Sequence, residues 1–385
     1  MLFADSETQK LIRDTARSYL RDRYPWERLY AIERGEAALL AGDVKEMAGL
    51  GWLGLVAPES AGGGGASLLE AAVVIEELGY AGVPAPVAPS NISAYVLKAS
   101  KAGQSEKHLA DIAGGVRLYT VAEANREAAP PGAPRSARPE ALVGRAENDV
   151  LLEKRSLTGT LRQVPFGLAA DYVLAPITAD GKPAMALIAL EGARREPLRV
   201  LDRADYADVR LDGLPAGAAV VLATGEKAQA LRARFEALLT AFGLVELAGL
   251  MQRVTEMTAE YISNRVQFGV PIAKFQAARH HAADMLMQTQ TARWTAYEAL
   301  SRFEDDPTDT SAIWLAKHWA IRASGVVFEL AHLLHGGVGV GTEYPLHLLT
   351  QGVAALAVRY GAINEMITRI NAGLRLTGAK DAMSG

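Results

Sequence analysis

Apolar and polar positions divide the chain into three stretches with different periods. Over residues 1 to about 115 the apolar positions recur at helical spacing. Ser6 opens an amphipathic run through Tyr19, and Asp43 is placed to cap a helix that ends near Leu50. Ser67-Leu-Leu-Glu70 is a capping box ahead of Ala71-Ala-Val-Val-Ile75, in which serine and glutamate side chains each satisfy a backbone N–H of the first turn. Two more helices are expected over 90–100 and 105–113. Ser60-Ala-Gly-Gly-Gly-Gly-Ala-Ser67 has the glycines of a phosphate loop, but no strand precedes it and no Lys-Ser/Thr pair follows, so it reads as a flexible connector.

From Val116 to about Leu222 the pattern changes to short β-type runs: Leu118-Tyr-Thr-Val121, Tyr172-Val-Leu-Ala175, Ala184-Met-Ala-Leu-Ile-Ala189 and Ala218-Ala-Val-Val-Leu222, punctuated by Asp180-Gly181 and Asp212-Gly213. These predict a small antiparallel barrel or sandwich. The Pro-rich insert at 128–139 reads as a surface excursion. Helical spacing then returns, with runs at 226–264, 276–304, 309–334 and 346–374. The first carries Leu238, Phe242, Leu244, Val245, Leu247 and Leu250 around most of its circumference, as expected of a helix at the centre of a bundle or an interface. The order helices, strands, helices gives an α+β chain of three domains, 1–115, 116–222 and 223–385. It speaks against alternating βαβ units, so Gly337-Val-Gly339-Val-Gly341, between two helices, is a turn rather than a dinucleotide fingerprint.

Composition narrows the classes of function. With 385 residues, half of them hydrophobic, the chain has enough material for several cores. A net charge of -4, from 40 basic against 44 acidic residues, gives no basic footprint for nucleic acid. The N-terminus lacks the basic and apolar regions of a signal peptide and no window approaches 18 uninterrupted apolar residues, so a soluble cytoplasmic protein is expected, with no membrane partner. With zero cysteines, thiolate chemistry is excluded, and any redox step must use a cofactor.

The chemistry-bearing stretch is Arg265-Val-Gln-Phe-Gly-Val-Pro-Ile-Ala-Lys-Phe-Gln276, where a long helical pattern breaks at Gly269 and Pro271 and restarts. Arg265 offers a fixed cation for a diphosphate, Phe268 a flat face for a purine and Gln276 a donor–acceptor pair. The plain alternative is a helix connection with a solvated arginine.

This stretch resembles the Arg-x-x-Phe-Gly-x-x-Ile-x-x-x-Gln signature of the acyl-CoA dehydrogenase family. Gly51-Trp52-Leu53-Gly54-Leu55-Val56-Ala57-Pro58-Glu59 and His335-Gly336-Gly337-Val338-Gly339-Val340-Gly341-Thr342-Glu343-Tyr344-Pro345 are similar to its N- and C-terminal landmarks, in the expected order. The resemblance implies an N-terminal helical domain, a middle β domain and a C-terminal four-helix bundle, with FAD as cofactor. It implies cofactor contacts from Arg265, Gln267, Phe268, Gln276, Gly336 and Gly337, made across a subunit interface to the adenosine diphosphate half of a neighbour's FAD.

In that family a glutamate removes the proton alpha to a thioester carbonyl while a hydride leaves the beta carbon for the flavin. Counted from Gly336-Gly337 that glutamate falls on Tyr360-Gly361, and the second position used in the family, 26 residues before Arg265, falls on Leu239. A phenol with an ordinary pKa near ~10 is a poor base at neutral pH. Among substitutes, Glu365 faces away from Tyr360 on a helix, Glu236 lies about one turn before Leu239, and Glu246 lies almost directly below Leu239, about 10 Å along the axis. For Glu246 the plainer reading is a carboxylate satisfied by a partner group at an interface. The family's flavin-contacting runs are altered too: Tyr119-Thr-Val-Ala-Glu123 lacks the following Gly-Ser-Asp, the Trp-Ile-Thr run falls on Gln163-Val164-Pro165, and the Gln before Gly-Gly falls on Leu333.

The retained residues are those that serve a neighbour's cofactor. Together with the Val-Pro-Phe-x-x-x-Ala-Asp run at 164–171, this resembles the subunit without a base in heteromeric acyl-CoA dehydrogenases of steroid side-chain degradation. The resemblance then implies an acyl-CoA substrate, a homologous partner subunit in a heterotetramer (or a homotetramer), and electron-transfer flavoprotein as acceptor. Three other functions remain open: a self-sufficient dehydrogenase using Glu246 or Glu236, a flavin monooxygenase on the same fold, and a scaffold without cofactor. His280, His281, His332, His335 and His347 lack paired carboxylate spacing and read as packing or pyrophosphate-side residues, with no metal expected.

Overall fold

The computed structural model describes residues 4–37, 42–123, 150–153, 156–201 and 203–359. The Pro-rich insert at 128–139 and the positions of Tyr360, Gly361 and Glu365 lie outside the described residues. The N-terminal region is α1 (Glu7–Arg23), α2 (Trp26–Glu33), α3 (Asp43–Gly49), α4 (Leu68–Ala81), α5 (Val87–Ser100) and α6 (Ser105–Ala113). Complete capping boxes start α1 at Ser6 with Gln9 and α4 at Ser67 with Glu70. Asp43 is not a cap. It is the first helical residue, behind Gly42 at φ +86°, and its carboxylate takes Arg28 Nη2 at 2.6 and 2.9 Å. A buried carboxylate gains more from a guanidinium than from two backbone N–H groups.

The glycine run is not a flexible connector. Gly64 N–H bonds the Gly54 carbonyl, Gly65 the Ala57 carbonyl and Ala66 the Leu55 carbonyl, stitching the run onto 54–57. A Cβ at Gly63 would run into the Ala57 carbonyl, so the run is glycine because two backbones touch there.

The middle region is a two-sheet sandwich. Strands β1 (Tyr119–Val121), β2 (Leu151–Glu153), β3 (Ser156–Thr158), β4 (Thr160–Pro165), β5 (Tyr172–Ala179), β6 (Lys182–Ala189), β7 (Arg194–Leu198), β8 (Tyr206–Arg210), β9 (Leu214–Pro215) and β10 (Ala219–Thr224) form it. One sheet runs β10-β6-β5-β2-β3-β9, the other β4-β8-β7. It is not wholly antiparallel: one edge of β5 is shared by β1, parallel at Tyr172 to Leu174, and β2, parallel at Thr178 and Ala179. Eight residues of β5 give that edge room for two short partners. Asp180 and Gly181, at φ +46° and +75°, close the β5–β6 hairpin as the sequence predicts.

The C-terminal region is α7 (Gly225–Asn264), α8 (Gln276–Asp305), α9 (Ser311–His335) and α10 (Leu346–Arg359), with the hairpin strands β11 (Val266–Gln267) and β12 (Val270–Pro271) between α7 and α8. One hydrophobic core joins these helices to the N-terminal ones, with Phe235, Phe242, Leu244 and Met251 of α7 fully buried in it, while the sandwich has its own. Gly79 of α4 and Gly249 of α7 let the two helices meet backbone to backbone: a Cβ at Gly79 would strike the Glu246 carbonyl. Gly79→Ala is therefore expected to cost about 3 kcal/mol in chemical denaturation, because neither helix end is free to retreat. An unchanged midpoint would mean that the crossing is loose.

Two helical stretches, Gly225–Asn264 and Ser311–Val340, are long and apolar enough by composition to cross a bilayer. The apolar window of the first is 83% buried and marks α7 as a core helix; that of the second is only 33% buried. Leu315, Trp319, Val326 and Leu333 of α9 are exposed at four- and seven-residue spacing, one stripe along the helix.

Candidate cofactor turn and interdomain cleft

Arg265 ends α7 by leaving helical geometry at ψ 116°, and the chain turns back at once through β11 and β12. Phe268 and Gly269, at φ +54° and +80°, form the two-residue loop of this hairpin. The first loop position favours Asn or Gly, so a phenylalanine there is held at a cost of about 1 kcal/mol. Its ring is 92% exposed, touching Phe275 edge-on at 6.1 Å. Strain spent to hold an aromatic ring in solvent points to a ligand or partner for that ring.

Arg265 is exposed and, among the described residues, has no carboxylate in salt-bridge range. Gln276, also exposed, is the first residue of α8; Gln267 folds back, its Nε2 donating to the Val266 carbonyl at 2.8 Å. Gly336 ends α9 at φ +56°, ψ −137°, a conformation open only to glycine, and Gly337 follows with free space where a Cβ would stand. The ends of α7 and α9 are tied by Tyr261, whose ring stacks on His335 at 4.3 Å and whose hydroxyl donates to its carbonyl at 3.5 Å. That lock brings Arg265 and Gly336-Gly337 to one end of the bundle.

Burial holds His332 and His335 below the usual imidazole range, so both are neutral. His335 Nδ1 donates to the Ala331 carbonyl at 2.8 Å, and His347 pairs with Glu33 at 3.2 Å. His280 is exposed, and among the described residues no three His, Asp or Glu side chains gather as metal ligands.

The second locus lies where α7 faces the sandwich. Leu239, Gly243 and Glu246 line a cleft against Pro165, Phe166, Tyr206, Leu356 and Arg359. The cleft encloses about 40 Å³, room for a water molecule, whereas pockets for drug-sized ligands hold roughly 300–1,000 Å³. It is closed from the sandwich side. Gln163 and Phe166 both sit at positive φ, +51° and +56°, which turns the end of β4 inward and buries the Phe166 ring. Thr120, fully buried, gives its hydroxyl to the Pro165 carbonyl. Leu239 supplies no base, and Glu236 is bound by Arg232 at 2.7 Å. Glu246 does line the cleft beside Leu239, but it is engaged by its surroundings rather than free.

Residues 6–116 match the model "Acyl-CoA dehydrogenase, N-terminal domain" and residues 239–374 match "Acyl-CoA dehydrogenase, C-terminal domain", together more than half of the chain. The chain belongs to the acyl-CoA dehydrogenase family. It is similar to acyl-CoA dehydrogenase FadE28 of Mycobacterium tuberculosis, at 25% identity over the whole of both chains. Among solved structures it resembles a variant of the Tcur3481-Tcur3483 steroid ACAD, with a TM-score of 0.83, 25% identity and coverage of 98% of this chain and 99% of the other. It also resembles the ChsE4-ChsE5 complex of Mycobacterium tuberculosis, with a TM-score of 0.82, 26% identity and coverage of 98% of this chain and 100% of the other.

Acyl-CoA dehydrogenases are oxidoreductases that use FAD. Two loci of this family member answer differently to that cofactor. The exposed turn, with a guanidinium that meets no carboxylate among the described residues, a ring held in solvent and a bare glycine backbone, has the kind of groups that a diphosphate and a purine call for. The interdomain cleft, walled by Pro165 and Phe166 and enclosing about 40 Å³, does not fit a tricyclic ring. The sequence points to the turn residues but not to Phe166 as a wall; its local sign is Pro165-Phe166-Gly167, a turn tripeptide that begins where the family's aromatic run, on 163–165, ends.

Proposed function

We propose that this chain is the non-catalytic subunit of a heteromeric acyl-CoA dehydrogenase, completing the FAD site of a homologous partner that carries the glutamate. The complex removes hydrogen from the alpha and beta carbons of an acyl-CoA thioester and passes electrons to electron-transfer flavoprotein. One observation carries the reading: the cleft beside Leu239 is closed, while the turn at Arg265 to Gln276 is open to a neighbour. In this reading Arg265 neutralises the diphosphate, Phe268 lies on the purine, Gln276 bonds its polar edge, and Gly336 and Gly337 admit close backbone approach, with Gln267 at the rim. The bound FAD supplies the hydride acceptor. The apolar stripe of α9 is where the partner packs, since a third of its window is covered in the chain alone. The acyl chain is then selected by the partner's cleft, not by this one. The similarity to two solved two-chain assemblies, Tcur3481-Tcur3483 and ChsE4-ChsE5, supports a heteromer over a homotetramer.

Purified alone, the chain should be colourless and inert toward acyl-CoAs with an artificial electron acceptor. Co-expressed with a glutamate-bearing homologue from its native host, it should yield a yellow, active complex. Robust turnover by the pure chain would sink the proposal. Because Glu246 shares the cleft with Leu239, a displaced base is the second reading. Glu246→Gln in the complex separates the two: turnover within about threefold fits the subunit role, whereas loss by orders of magnitude makes Glu246 the base.

A further inference from the structure

Arg265 also closes one end of a second, larger cleft, about 430 Å³, to which Phe268, Gln276, Gly336 and Gly337 contribute nothing. Arg253, Met257, Tyr261 and Asn264 reach it from one face of α7, at helical spacing. Trp26 enters from the start of α2 and Tyr344 from just before α10, so three aromatic rings surround the space.

The Arg253 cation that lines it is unusual for this protein. Arg13, Arg28 and Arg293, three half-buried arginines elsewhere in the helical regions, each meet a carboxylate at 2.6 Å. Arg253 meets none among the described residues. Its guanidinium is held 5.4 Å from the Trp26 ring centre and 5.3 Å from that of Tyr80, and it donates to the Tyr80 hydroxyl at 3.2 Å. Tyr80 in turn donates to Glu256 at 2.5 Å. Rings and a neutral phenol fix the guanidinium in place while leaving most of its N–H donors unused. Arg265, at the far end, is likewise free of carboxylates among the described residues.

We propose that this cleft is a binding site for an adenine nucleotide. The Arg253 fork, which meets no carboxylate among the described residues, takes the phosphate, and Glu260, the one carboxylate among the lining residues, is left for the base. The base stacks among Trp26, Tyr261 and Tyr344, and the exposed Asn264 amide and Glu260 carboxylate offer an acceptor pair for an exocyclic amine. An acyl chain is a poor occupant, because only Met257 and Pro345 line the cleft with non-aromatic apolar surface. The site shares Arg265 with the flavin reading, but Trp26, Arg253, Tyr261 and Tyr344 have no part in that reading.

AMP titrated into the purified full-length chain, followed by tryptophan fluorescence and calorimetry, tests it. Saturable binding is expected, with inorganic phosphate at least about tenfold weaker because it lacks the stacked base. Arg253→Met and Trp26→Ala should each weaken AMP by about tenfold or more with unchanged circular dichroism, while Trp26→Phe should stay within about threefold. Phe268→Ala should leave AMP affinity as it is. Absence of saturable binding, phosphate binding as tightly as AMP, or AMP affinity lost in Phe268→Ala yet kept in Arg253→Met would each overturn the site, the last by moving the nucleotide to the cofactor turn.

Discussion

Glu76→Ala is expected to lower the unfolding free energy of the purified chain by about 3–5 kcal/mol, read by urea denaturation. Glu76 sits on α4 with its side chain 4% exposed, and it accepts from Arg13 Nη2 at 2.8 Å, Arg293 Nε at 2.6 Å and the Tyr297 hydroxyl at 2.7 Å. Beside it Glu77 is bound by Arg13 at 2.6 Å and Arg17 at 2.7 Å, and Asp5 bridges Arg13 and Arg293 at 2.7 and 3.1 Å. The network ties α1 and the segment before it to α4 and α8. Removing one carboxylate leaves two guanidiniums and a phenol desolvated with fewer acceptors, and that penalty exceeds what the pair gained on forming. Glu76→Gln keeps the shape and two acceptor lone pairs, so it should fall between. A loss below about 1 kcal/mol for the alanine variant would mean water reaches the network.

The same groups set the pH response. Burial pushes Glu76 up, but Arg13 and Arg293 outweigh it and hold the carboxyl below its usual range, and Asp5 is lowered for the same reason. Their stability is fully present above the ordinary carboxylate range of about 4 and is lost as pH falls through their depressed folded values. His108, His332 and His335 are also depressed, by burial, so the folded state binds their protons less well than the unfolded chain does. Their contribution begins to fall below about pH 6.5. Melting temperature should therefore decline gently from about pH 6.5 and steeply below about pH 4.

What can be read in advance follows from what kind of information each element uses. α4 carries its period and its cap in local sequence, and α7 to α9 carry their period and the breaks between them, so the limits are visible there to within a few residues. α5 begins at Val87, three residues ahead of the expected start, because Pro86 to Pro89 pass as a turn in sequence but occupy a helix's first turn. β4 and β7 are not visible: Thr160–Pro165 and Arg194–Leu198 carry arginines and prolines and become strands only by pairing with β8 on either side. The turn residues are legible because a motif fixes their identity. The left-handed backbone of Phe268, the reason its ring reaches solvent, is not. Helical geometry places Glu246 below Leu239, and both do line one cleft; that Phe166 walls it depends on the inward turn at the end of β4, which no local pattern specifies.

Arg265→Ala, made in this chain and purified in the proposed complex, should weaken FAD retention by about 30- to 100-fold, read as the flavin-to-protein ratio after dialysis and as recovery of turnover on adding FAD. A guanidinium–diphosphate contact is charge-assisted and bidentate, worth roughly 2–3 kcal/mol when it is lost. The same substitution should leave the melting temperature of the isolated chain unchanged, because Arg265 is exposed and bonds no carboxylate among the described residues. Phe268→Asn sharpens the test by separating stability from function with opposite signs. Asparagine accepts the left-handed conformation that phenylalanine resists, so the isolated chain should gain up to about 1 kcal/mol, while the complex should lose flavin affinity with the ring. If both substitutions leave the flavin ratio intact, the turn does not touch the cofactor, and its strained aromatic ring must serve packing between subunits instead.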